Sequence, residues 1–145
     1  MRSKMMVISL TMLCISVANA QERYGIGAFI GVTNRAVISY NTPSQWQFGF
    51  QLGTLYTEFD NLGTAHTAIF VKRFLSQEKV TPYVGISTGL QSFQSPVFIC
   101  GIPIGLQTMP TNNLAVSAEL APTFFAYHKT ELVLGASVGV TFYLD

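Results

Sequence analysis

Three ionisable side chains, Lys72, Arg73 and Glu119, stand inside otherwise apolar or alternating stretches of the chain. A buried charge needs a partner, so these residue types in these settings raise the expectation of an internal ion pair, with a water-solvated carboxylate and rim cations as the alternative. Acid–base or metal chemistry would draw instead on His66 and His128, which have Glu58, Asp60 and Glu131 near them in sequence. The spacing does not support it: there is no His-x-x-x-His pair, no Cys/His cluster and no glycine-rich phosphate loop. Each histidine is therefore expected to be an interfacial polar residue, and no catalytic, metal or cofactor site is predicted. Cys100 shares its parity with Ile102, Ile104 and Leu106 and reads as a small hydrophobe.

The elements that position these residues follow an export signal. Of the 145 residues, Met1 to Ala20 has a basic start (Arg2, Lys4), an apolar centre from Met5 to Val17 and a small-residue end, Ala18-Asn19-Ala20, predicting cleavage before Gln21. The apolar centre is shorter than the roughly 20 residues that a spanning helix needs. Cys14 follows Thr11-Met12-Leu13, which lacks the small residue of a lipidation site. Residues 21–145 then form one domain with a single cysteine, so no internal disulfide is available to it. The whole chain is 49% apolar and 10% charged, which excludes a disordered segment and a nucleic-acid binder with a basic surface.

Side chains alternate with a period of two along most of this domain, as strands require. Trp46, Phe48, Phe50 and Leu52 alternate with Gln47, Gly49, Gln51 and Gly53; Leu132, Leu134, Ala136, Val138, Val140 and Phe142 alternate with small or polar residues. Turn chemistry at Thr33-Asn34, Asn41 to Ser44, Asp60 to Gly63, Ser76 to Lys79, Gln94 to Pro96, Pro110 to Asn113 and His128 to Thr130 divides the chain into eight strands, the second a short one from Arg35 to Asn41. Eight strands of this spacing suit an all-β fold class, an eight-stranded antiparallel up-and-down transmembrane β-barrel.

Alternation separates two faces without labelling their solvents, and three patterns assign them. The glycine pairs Gly49/Gly53, Gly85/Gly89, Gly101/Gly105 and Gly135/Gly139 each fall on one face, where they would relieve a narrow interior. Apart from Lys72, Arg73 and Glu119, the charges of residues 21–145 fall at strand ends or in turns. A bilayer demands this, because Arg or Lys at its midplane costs about 2–4 kcal/mol. Aromatic residues gather near strand ends, and Tyr24, Trp46, Tyr56, Tyr83, Tyr127, Phe142 and Tyr143 are the candidate interfacial set. Glu119 shares a face with Ser117, Ala121 and Thr123, opposite Val116, Ala118 and Leu120, and should point inward.

With these features the chain resembles the small outer-membrane β-barrel superfamily, of the OmpA/OmpX eight-stranded type. The phrase Thr81-Pro82-Tyr83-Val84-Gly85-Ile86-Ser87-Thr88-Gly89 is similar to a strand common in such proteins, whereas the Phe142-Tyr143-Leu144-Asp145 end departs from their usual terminal aromatic. The resemblance implies a bacterial outer-membrane location, periplasmic termini, and outer-membrane lipids and the barrel-insertion machinery as partners. It places Lys72 and Arg73 near the periplasmic end of a descending fourth strand, one projecting into the lumen and the other snorkelling to the headgroups. Glu119 paired with Lys72 or Arg73 would then plug the interior.

The function expected is structural or surface-interactive, non-enzymatic and without a wide pore. Two alternatives stand beside it. A small outer-membrane lipid-modifying hydrolase would need a Ser/His/acid set, but Tyr127-His128-Lys129-Thr130 lacks the His-x-Ser-Asn pattern of the lipid A deacylases. An exported soluble lipocalin-like barrel binding an apolar ligand would reverse the two faces.

Overall fold

The computed structural model describes residues 22–57, 60–91, 97–126 and 130–144, with side chains throughout except at 55–64. Nine segments run up and down: β1 (Arg23–Gly31), β2 (Thr33–Asn41), β3 (Trp46–Thr57), β4 (Asp60–Phe74), β5 (Val80–Gln91), β6 (Val97–Gly101), β7 (Ile104–Thr111), β8 (Leu114–Ala126) and β9 (Thr130–Leu144). All neighbours are antiparallel, and β9 returns to β1 from Tyr24↔Leu144 to Gly31↔Ser137, so the sheet closes on itself. Closure leaves no free sheet edge among the described strands.

Nine segments make eight staves. β6 and β7 are halves of one stave, since β5 and β8 each pair with both. The gap at Ile102-Pro103 arises because proline lacks an N–H to donate to the ladder. The neighbours still grip it: Gly85 N–H donates to the Pro103 carbonyl at 2.8 Å, and Ile102 N–H to the Pro122 carbonyl at 3.0 Å.

Two connections are tighter than the turn residues predict. The first reversal is compressed to Val32, where Asn34 Oδ1 accepts from Gly31 N–H at 3.1 Å and Val32 N–H donates to the Ala136 carbonyl at 2.9 Å. β2 therefore starts at Thr33 and takes in the expected Thr33-Asn34 turn, which puts Arg35 inside a strand. Likewise Asp60 to Gly63 belongs to β4, with Thr57 paired to Asp60 across a register shift after Leu55.

The two faces are unlike. Trp46, Phe48, Phe50 and Leu52 of β3, and Leu132, Leu134, Val138, Val140 and Phe142 of β9, all project outward and are exposed. Inward go Gln47, Ser137, Thr141 and the paired glycines, with aromatic rings set among them. Four of these rings lie over a glycine directly across the ladder: Phe29 over Gly139, Phe70 over Gly49, Tyr83 over Gly105 and Tyr143 over Gly25. A Cβ at any of the four would run into its ring. The glycine face thus makes room for inward aromatics, the cross-strand packing that designed barrels also use.

The lumen is consequently filled. Phe29, Val37 and Phe70 form one buried cluster; Ala68, Ile99 and Phe125, with Val97 and Val133 against them, form another toward the end where β8 gives way to β9. Gly139→Val should destabilise the barrel by about 1–3 kcal/mol by driving the Phe29 ring away. Ala136→Val, outward on the same strand, should stay within about 0.5 kcal/mol. The temperature at which the folded band converts in unboiled gel electrophoresis measures both; equal effects would contradict the packing.

Candidate functional site: a charged plug across the lumen

Glu119 lies mid-strand in β8, paired with Gly105 on one side and Ser137 on the other. Neither neighbour fills the space before it, so the carboxylate reaches across the lumen. Lys72 of β4 donates to its Oε2 at 2.6 Å, the Tyr83 hydroxyl of β5 donates to the same oxygen at 2.9 Å, and Arg35 of β2 donates through Nη2 to Oε1. Arg35 is braced in turn by Thr33, whose hydroxyl oxygen accepts from Nη1 at 3.0 Å. Glu119, Lys72 and Arg35 are only 5%, 6% and 7% exposed.

Aromatic faces complete the enclosure. The Lys72 ammonium sits 4.6 Å from the Tyr83 ring centre, 5.1 Å from Phe70 and 5.2 Å from Phe29, while the Arg35 guanidinium lies 4.4 Å from Phe29. The negative ring faces partly replace the water these cations have lost. The four polar residues come from β2, β4, β5 and β8, so their bonds cross the barrel rather than follow its wall.

Toward the termini the lumen stays polar. Gln47 donates to Ser39 Oγ and to the Tyr143 hydroxyl oxygen, both at 3.3 Å. Beyond them the turn end opens into a vestibule of about 360 Å³ lined in part by Arg23, Trp46, Gln77, Lys79 and Tyr143. Chemically the central cluster is a lock. Both Glu119 oxygens are engaged by charged or hydroxyl donors, which leaves the carboxylate poorly placed as a general base.

Arg73, the neighbour of Lys72, faces the other way. Its guanidinium lies 5.2 Å from the Trp46 ring and donates to the Ser44 carbonyl in the β2–β3 turn, so of the two expected cations only Lys72 meets Glu119. Tyr24, Trp46 and Phe142 point outward near the termini, and Tyr24 packs on Tyr40 with ring centres 5.2 Å apart. Tyr83 and Tyr143 do not belong to that rim: both are buried in the lumen, because they share the parity of Gly85 and Thr141 respectively. The Tyr56 side chain, Tyr127 and His128 lie outside the described residues. His66 is not interfacial either. It is six residues into β4, on the parity of Ala68, Phe70 and Lys72, and is buried in the lumen. Cys100 keeps the outward parity and is half-buried. Arg35 was not expected in this cluster; its parity with Val37 and Ser39 is the signal that marks it as inward.

Comparison of the whole shape with solved structures places the architecture. The N-terminal β-barrel domain of Pseudomonas aeruginosa OprF superimposes with a TM-score of 0.70 at 19% identity, over 86% of this chain and 99% of that one. The fold is that of the small outer-membrane β-barrels. Neisserial surface protein A matches with a TM-score of 0.57 at 16% identity, over 83% of this chain and 93% of that one. Yersinia pestis outer membrane protein Ail, solved in a phospholipid bilayer nanodisc, matches with a TM-score of 0.50 at 10% identity, over 86% of this chain and all of that one. No family model matches the sequence, and no curated protein matches it.

Charge arithmetic in the plug orders two substitutions. Glu119→Gln leaves two buried cations facing each other and should cost about 3–5 kcal/mol. Lys72→Met leaves the Arg35–Glu119 pair balanced and should cost less. Equilibrium urea unfolding of the folded barrel in detergent checks the order; a Lys72→Met loss equal to or above that of Glu119→Gln would contradict it.

Proposed function

We propose that the chain is an integral protein of the bacterial outer membrane, a closed and non-enzymatic barrel with a structural or surface-interaction role. The observation that carries this reading is the outward face: Ile26, Ile38, Phe50, Ile69, Ile86, Leu106, Leu134 and Val138 form an apolar surface around the whole barrel, on strands from β1 to β9. A soluble monomer rarely exposes a contiguous apolar patch beyond a few hundred Å². Lipid turns that surface into the favourable one, and the closed sheet meets the bilayer's demand that every backbone group be paired internally.

The orientation rests on the family resemblance, which implies periplasmic termini. The turn end, with both termini, Trp46 and Arg73, faces the periplasm, and the opposite connections face outward. Export by residues 1–20, insertion by the barrel-insertion machinery and contact with outer-membrane lipids complete the reading. The Glu119 cluster, set across the axis, argues for a barrel without a wide diffusion path. Against the soluble lipocalin-like alternative stands the direction of the faces, since a ligand cup needs its large apolar side chains inside. Against a hydrolase stands the sequence Tyr127-His128-Lys129-Thr130, which lacks the His-x-Ser-Asn pattern of the lipid A deacylases.

Membrane fractionation of the expressed full chain, with unheated and boiled samples compared on a gel, tests the proposal. The expected result is recovery with the outer membrane and a folded band that shifts on boiling. Recovery of soluble, detergent-free protein would overturn it.

A further inference from the structure

The plug is not charge-balanced. Arg35 and Lys72 bring two positive charges to the single negative charge of Glu119. Beside them is a cavity of about 30 Å³, whose lining includes Arg35, Gln51, His66, Ser87 and Glu119. Two nitrogen atoms on its lining side chains, Arg35 Nε and His66 Nδ1, are buried without a hydrogen-bond partner among the described residues. Arg35 is 7% exposed and His66 5%.

A guanidinium never deprotonates in a protein, so Arg35 Nε carries a hydrogen that needs an acceptor. A neutral imidazole with its proton on Nδ1 supplies a second donor, and the Gln51 amide and Ser87 hydroxyl offer further ones on the same lining. Glu119 faces the cavity too, but its oxygens already accept from Arg35, Lys72 and Tyr83. What remains is a small enclosed space with surplus positive charge and unsatisfied donors.

We propose that this cavity binds a small monatomic anion of the charge and size of chloride. One negative charge makes the lumen neutral, and one spherical acceptor serves Arg35 and His66 together. A cavity of about 30 Å³ has room for one small ion. The ion acts as a structural cofactor of the plug, and ligand that binds only the folded state raises its stability with concentration.

The test compares thermal unfolding of the detergent-folded barrel in sodium chloride and in sodium gluconate at matched ionic strength, with diffraction from crystals grown in bromide. The expected results are a melting temperature higher by about 3 °C or more in chloride, and an anomalous peak beside Arg35 and His66. Lys72→Met removes the surplus charge while keeping the Arg35–Glu119 pair, and should abolish most of the chloride shift. Equal melting in the two salts with no bromide peak would overturn the proposal and leave water in the cavity. A chloride shift that persists undiminished in Lys72→Met would overturn the charge argument behind it.

Discussion

Closure of eight staves is the constraint on which everything else in this molecule depends. A closed sheet has one inside and one outside, and a regular strand's side chains alternate between them. Once the Trp46 and Leu132 faces turn outward, Gln47, Gly139 and Lys72 must turn inward. The inside is narrow, so a large ring packs most readily where a glycine stands opposite. Phe29, Phe70 and Tyr83 meet that condition, and they in turn make the walls around the Lys72 ammonium. Packing and electrostatics in the lumen are therefore one arrangement: moving a glycine disturbs a ring, and moving a ring exposes a cation.

Glu119 gives that arrangement its polarity. Its partners lie 36, 47 and 84 residues away in sequence, so the cluster forms only when β2, β4, β5 and β8 have come together. Such long-range contacts repay their loop-closure cost late in assembly. Burying three charges adds little net stability by itself. What it contributes is register, because a strand displaced by one residue would send Lys72 or Glu119 toward lipid. The same reasoning explains why Arg73 can sit beside Lys72 in sequence. It faces outward, but close enough to the turn end to lie on Trp46 and bond the Ser44 carbonyl.

Much of this was legible in the sequence because parity is local. The lipid-facing row of β3 and β9, the inward glycines, the inward Glu119 and the split of Lys72 from Arg73 all follow from counting by twos along one strand. What was not legible depends on register between strands. Arg35 sat next to a predicted turn and looked like a strand end; a reversal through Val32 alone moved it inside. Tyr83 and Tyr143 lay near strand ends, which suggested a rim, yet their parity sends them to the lumen. Their pairing with Gly105 and Gly25 requires knowing which residues face each other across the ladder. His66 was misplaced for a similar reason, since β4 extends outward to Asp60 and leaves the imidazole deep in the barrel.

The outward direction of the apolar face is the claim from which membrane insertion, the closed lumen and the charged plug all follow, and Trp46 is the chain's only tryptophan. Its fluorescence in the barrel reconstituted into vesicles can be challenged with lipids brominated high on the acyl chain and, separately, with iodide in the water. Strong quenching by the brominated lipid with weak quenching by iodide is the predicted result. Quenching by iodide with none from the lipid would put Trp46 in water and contradict the account.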